Sequence, residues 1–174
     1  RAYEVWNEPN LAREWGARPP DPAAYTELLK VCYLGIKSAD PDALVISAGL
    51  APTGTADETA MPDMDFYAGL YAAGAAPYFD LLGAHAPGFM NPPERDPAEV
   101  EADPALGYRW LAFRHVEDLR RLMIANGDAD KQIAVTEMGW TSDPVNPAYS
   151  WYAVSEPTKA DYLVRAFAYA RENW

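Results

Sequence analysis

Four short apolar runs narrow the fold more than any other feature of the chain: Tyr3–Trp6, Leu44–Gly49, Phe79–His85 and Gln132–Thr136. None shows the strict in–out alternation of a strand with one wet face. Continuous apolar strands suit a sheet covered on both sides, the usual state of parallel sheets in α/β proteins. Between the runs the pattern changes to a helical period. Asp21-Pro22 reads as an N-cap followed by the first helical residue. Tyr25, Leu28, Leu29, Cys32 and Ile36 then share one face until Asp40-Pro41. Further helices are expected over Met64–Ala73 and over Tyr108–Ala125, the latter with Ala112, Val116, Leu119 and Met123 inward and Asn126-Gly127-Asp128 as its stop. A last helix opens at Pro157, with Leu163, Ala166, Phe167, Ala170 and Trp174 inward. Strands alternating with helices predict an α/β fold. Strand starts near 3, 44, 80 and 132 suit a (β/α)8 barrel, and a doubly wound sheet fits the periodicity nearly as well. Glu8, His85 and Glu137 favour the barrel, because each stands at the C-terminal end of a strand, where barrels keep their active sites.

Charge excludes some partners. Fourteen Lys+Arg against 26 Asp+Glu give a net charge of −12, which disfavours nucleic acid and anionic membranes and suits a neutral substrate. The single cysteine, Cys32, permits no internal disulfide and falls on a helix face as a small hydrophobe. With two separated histidines no zinc site is expected, and His115 reads as structural. No run approaches the ~18 apolar residues of a membrane span. No Gly-rich phosphate loop follows any strand, so a nucleotide site is not expected. The stretch from Ala86 to Gly107 is a proline-rich loop whose acids, Glu94, Asp96, Glu99, Glu101 and Asp103, read as solvated.

The chemistry concentrates in Trp6-Asn7-Glu8-Pro9 and Thr136-Glu137-Met138-Gly139-Trp140. Pro9 has no N–H for a ladder and biases Glu8 toward an extended or turn conformation, so a carboxylate is held stiffly at a strand tip beside an amide. A general acid needs such support, because proton transfer works only within hydrogen-bond reach.

Trp6-Asn7-Glu8-Pro9 resembles the strand-four signature of the retaining glycoside hydrolases of clan A, which are (β/α)8 barrels. The clan places a second Glu at the tip of strand seven, roughly 100–150 residues on at the barrel's usual repeat, and Glu137 falls inside that window. The resemblance implies that Glu8 is the acid/base, Glu137 the nucleophile, and Asn7 the group that binds the sugar 2-hydroxyl. His85 is similar to the strand-six position that contacts the nucleophile or sugar. Trp6 is expected within or just under the site, with Trp15 and Trp140 at the rim to stack on sugars. The phrases Asp40-Pro41-Asp42-Ala43 and Ala48-Gly49-Leu50-Ala51-Pro52 look like families five and thirty-nine, which act on β-linked glucans, mannans or xylosides. The expected partner is therefore a β-linked carbohydrate, without metal or organic cofactor, and a secreted setting is implied by the resemblance alone. On this reading residues 1–174 are one partial catalytic barrel running from strand four through helix seven, with strands one to three and strand eight missing. The rival from another class is a catalytically silent carbohydrate-binding barrel.

Overall fold

The structure is a computed structural model that describes all 174 residues, Arg1–Trp174. Four strands, β1 (Ala2–Val5), β2 (Leu44–Ser47), β3 (Leu81–Pro87) and β4 (Gln132–Gly139), form one parallel sheet in the order β1-β2-β3-β4. They alternate with helices α1 (Pro22–Ala39), α2 (Asp63–Ala72), α3 (Pro97–Ala102), α4 (Val116–Ala125) and α5 (Glu156–Asn173). None of these helices is long and apolar enough to cross a membrane.

Most boundaries follow local chemistry. Asp21 caps α1 as expected, its Oδ1 accepting from the backbone N–H groups of Ala23 and Ala24, both at 3.0 Å. Gly127 sits at φ 78°, and Asp128 N–H returns to the Met123 carbonyl at 3.0 Å, which stops α4 where the sequence places a stop. The stretch before α4 differs. Instead of one helix from Tyr108, two 3-10 turns, Arg109–Leu111 and Phe113–His115, precede Val116, and Ala112 between them is extended. On α5 only Ala166 is fully buried, whereas Phe167 is 67% exposed, so the expected inward face is narrower than its spacing implied. The loop from Ala86 to Gly107 contains α3, capped by the Asp96 carboxylate.

The chain divides into two compact units, residues 1–85 with 119–136 and residues 86–118 with 137–174. The division cuts β3 after His85 and β4 after Thr136. In the first unit α1 and α2 cover the sheet, and Tyr25, Leu29, Val45, Phe66, Leu70 and Leu82 make its core. Two buried tyrosines pin helices to strands. Tyr25 Oη donates to the Val5 carbonyl at 2.8 Å and accepts from Ala48 N–H at 2.7 Å. Tyr67 Oη donates to the Gly83 carbonyl at 2.8 Å and accepts from Leu50 N–H at 3.3 Å. The second unit packs Phe89, Val100, Leu111 and Ala112 at its centre.

The sheet is curved, and one hydrogen bond demonstrates it. Glu4 of β1 accepts from Thr136 Oγ1 of β4 at 2.9 Å, although these are the two outer strands. Three flat strand spacings measure about 14 Å. A Glu and a Thr side chain with a hydrogen bond between them span only about 10 Å by standard bond lengths. The strands must therefore bend round a concave face on which Glu4 and Thr136 meet.

Candidate functional site

Glu8 is placed by backbone geometry that the sequence did not show. β1 ends at Val5, one residue earlier than expected, and both Trp6 (φ 74°) and Glu8 (φ 46°) enter the left-handed region. That conformation costs an L-residue about 1–2 kcal/mol, and it replaces the extended one that Pro9 favours. The surroundings hold it there. Glu8 N–H donates to the Gly49 carbonyl at 3.0 Å, and the Glu8 carbonyl accepts from Leu11 N–H at 2.9 Å. Asn10, fully buried, donates through Nδ2 to the carbonyls of Ala51 and Met61 and accepts from Ala51 N–H. The second asparagine of Asn7-Glu8-Pro9-Asn10 is thus a clamp on the loop that follows β2.

The Glu8 carboxylate is 17% exposed and has a partner on each oxygen. Oε1 shares a hydrogen bond with His85 Nδ1 at 3.1 Å, and Arg13 Nη2 stands 3.5 Å from Oε2. His85 is buried in β3. Its ring lies over Gly49, where an added Cβ would meet His85 Cδ2 at 2.3 Å and Nε2 at 2.4 Å. Gly49 is therefore glycine because the imidazole occupies its side-chain space. Glu4 completes the arrangement: its Oε1 accepts from Gly49 N–H at 3.0 Å as well as from Thr136 Oγ1. Asn7, which precedes Glu8 in the chain, is exposed.

Sequence reasoning named Asn7, Glu8 and His85 and missed Glu4, Arg13 and Gly49. The signal for Gly49 was present, a glycine closing the second apolar run. Glu4 and Arg13 carry no local signal, since only the curvature of the sheet and the turn at Pro9 bring them in.

Glu137 lies in the second unit, directly after Thr136. It is exposed and stands within β4, not beyond its end, because β4 continues to Gly139. Gly139 has φ 151°, and its carbonyl accepts from Gly88 N–H at 3.0 Å.

The tryptophans depart from expectation. Trp15 and Trp140 are each 7% exposed, so neither presents a free ring at a rim. Trp15 packs edge-on to Trp6 and Tyr25 at 5.8 and 6.2 Å. Trp140 donates to the Asn91 carbonyl at 2.8 Å and lies against Gly88, Phe113 and Tyr162. Both serve as packing residues. Trp6, expected under the site, is half exposed and donates to the Glu14 carbonyl at 2.9 Å.

His115 is structural, as expected, and its partner is specific. Nδ1 bonds Asp118 Oδ2 at 3.0 Å, and Arg109 grips the same carboxylate through Nε and Nη2 at 2.6 and 2.7 Å. The acids expected to be merely solvated are largely engaged as well. Glu94 takes a two-pronged contact from Arg165 at 2.9 and 2.5 Å, and Asp103 accepts from Ala105 N–H. Compared with models of known protein families and with curated proteins, the chain matches none.

Proposed function

We propose that this chain carries the catalytic residues of a retaining glycoside hydrolase on a (β/α)8 barrel, acting on a β-linked carbohydrate. The observation that carries the reading is the construction around Glu8. A carboxylate at the C-terminal end of a parallel strand is fixed by a left-handed backbone, a buried asparagine clamp and a hydrogen bond shared with a buried histidine. Strain of this kind persists only where the surroundings enforce it, and it gathers at functional sites. The curvature of the sheet supports a barrel over a flat doubly wound sheet, as does the parallel order without reversal. Glu137, on a strand of the same sheet and nearer its C-terminal end, supplies the second carboxylate that the mechanism needs.

In the first step a Glu137 oxygen attacks the anomeric carbon while the bond from that carbon to the leaving oxygen breaks. Glu8 gives that oxygen its proton. In the second step Glu8 takes a proton from water, whose oxygen attacks the same carbon, and the glycosyl ester breaks to return the Glu137 carboxylate. Two displacements at one carbon retain its configuration, and the carboxyl groups then stand about 5–5.5 Å apart. Asn7, exposed beside Glu8, binds the 2-hydroxyl as oxocarbenium charge grows. His85 orients the Glu8 carboxyl through Oε1.

The test is a pair of variants with an external nucleophile. Glu137→Ala lowers turnover of every substrate by about 10⁴-fold or more. Glu8→Ala loses about 10²–10⁴-fold on poor leaving groups but spares the first step for dinitrophenyl glycosides, and azide restores turnover by giving a glycosyl azide of retained configuration. If both variants hydrolyse like the parent protein, or if hydrolysis inverts the anomeric carbon, the reading is wrong. Sugar binding with no turnover in the parent protein would establish the silent binder.

A further inference from the structure

The second unit carries a cluster of aromatic rings that the catalytic reading does not use. Phe89 is its hub, with ring centroids 5.4 Å from Trp110, 6.1 Å from Trp151 and 5.0 Å from Tyr152. Tyr108 extends it, lying parallel to Trp110 with an interplanar angle of 3°. Tyr149 extends it on the other side, 6.2 Å from Tyr152. The inner rings are part of the packed core, and Phe89 is 8% exposed. The outer rings are not: Tyr108 is 68% exposed, Trp151 54% and Tyr149 46%.

Three observations separate this from ordinary surface apolarity. Each exposed ring packs against an inner ring of the cluster, Tyr108 on Trp110, Trp151 on Phe89 and Tyr152, and Tyr149 on Tyr152, so presenting them costs little further side-chain entropy. Phe89 holds its place at φ 51°, a left-handed backbone at a bulky residue. Lastly, Tyr149 and Trp151 stand on the loop that leaves the C-terminal end of β4, a dozen or so residues after Glu137 in the same unit.

We propose that Tyr108, Trp151 and Tyr149, backed by Trp110 and Phe89, form a platform that binds successive pyranose units of the β-linked chain away from the cleaved bond. The proposal rests on the glycosidase reading for its ligand class. The faces of equatorially substituted pyranose rings are flat arrays of C–H bonds, which fit aromatic faces, while their hydroxyls remain in water. An electroneutral polymer is also not repelled by a chain of net charge −12, as an anionic one would be. A platform of this kind makes the enzyme prefer long substrates over short glycosides.

The test measures affinity and chain-length dependence in Trp151→Ala and Tyr108→Ala, with Phe167→Ala as an exposed aromatic control outside the cluster. The probes are β-1,4-linked hexasaccharides of glucose, mannose and xylose, used with Glu137→Ala so that binding is read without turnover. Each platform variant is expected to weaken the hexasaccharide that binds best by about tenfold, and Phe167→Ala to leave it unchanged. With Glu137 intact, KM for that hexasaccharide rises while kcat/KM for an aryl monoglycoside stays constant. Unaltered affinity in platform variants whose near-ultraviolet circular dichroism matches the parent overturns the proposal. So does a change of oligomeric state in place of a change of affinity, which would make the patch a protein interface. Failure of the catalytic reading is distinct: it leaves hexasaccharide binding dependent on Trp151 while Glu8 and Glu137 prove dispensable for turnover.

Discussion

The two compact units order their loops with different chemistry. In the unit of residues 1–85 and 119–136, neutral donors tie helix to strand. The buried hydroxyls of Tyr25 and Tyr67 each join two backbone groups, and the Asn10 amide holds the loop after β2. In the unit of residues 86–118 and 137–174, ion pairs do this work. Arg109 and His115 hold Asp118, Arg165 holds Glu94, and Arg114 holds Glu117 and Asp96. Protonation separates them in consequence. Burial pushes the Tyr25 and Tyr67 hydroxyls above the ordinary tyrosine range, so they stay neutral and bonded below about pH 10. Burial acts on the Asp118 carboxyl in the raising direction too, but His115 and Arg109 outweigh it and hold the group well below the usual carboxylate range. The tyrosine ties of the first unit are thus insensitive to acid, although Glu4, Glu8 and Asp80 also hold contacts there, and the second unit leans more heavily on groups that acid discharges.

Gly49→Ala is the largest single disturbance expected of the first unit. The new Cβ would fall on the His85 imidazole and 2.8 Å from Thr136 Oγ1. Relief requires the ring to swing away from Glu8, so the change costs about 3 kcal/mol and separates the histidine from the carboxylate together. Urea unfolding and amide exchange resolved by residue would show protection falling in residues 1–85. Wild-type stability would mean that His85 is loosely held and that the first unit is less rigid than its hydrogen bonds indicate.

Tyr25→Phe sharpens the contrast at somewhat smaller cost. It keeps the ring and removes one oxygen, leaving Val5 C=O and Ala48 N–H without that partner in a dry core. A loss of about 2 kcal/mol follows, and it should be the same at pH 7 and pH 3, because a neutral hydroxyl has nothing to titrate there. A loss that shrinks in acid would contradict the division between the units.

The contrast also explains which parts of the molecule were legible in the sequence. Apolar periodicity located all four strands and the helices of the first unit, because burial against the sheet imposes that periodicity directly. Asp21 and Gly127 announced helix ends through capping chemistry, which is local. The second unit was harder to read. Arg165 finds Glu94 across 71 positions of chain, so Glu94 looked like a solvated charge. Trp15 and Trp140 were placed at a rim because they lie in loops, yet both are buried, whereas Tyr108, Tyr149 and Trp151 are among the exposed rings. At the candidate site, the residues named by a short motif were found, whereas Glu4 and Arg13, which depend on curvature and on a left-handed turn, were not.

Acid provides the finest division between the units. Asp118 has a folded-state pKa depressed below its unfolded value of about 3.9. Its contribution is therefore complete above about pH 4 and is lost as pH falls below that value toward the folded one. Glu94, drawn down by Arg165, acts in the same direction; so does Glu117, where burial is outweighed by Arg114, Trp174 and Tyr169. The tyrosines of the first unit have raised values, so their contribution is complete below about pH 10 and fades only in strong alkali. Amide exchange between pH 5 and pH 3 should accordingly lose protection first in residues 86–118 and 137–174. Asp118→Asn keeps the shape but removes the charge that Arg109 and His115 grip, and should cost about 1–2 kcal/mol at pH 7. That difference should shrink toward pH 3, where the carboxyl of the unfolded chain takes up its proton while the folded one is still charged. A gap of constant size across this range would assign the effect to packing and not to the ion pair. Loss of protection beginning in residues 1–85 would reverse the assignment of acid sensitivity between the two units.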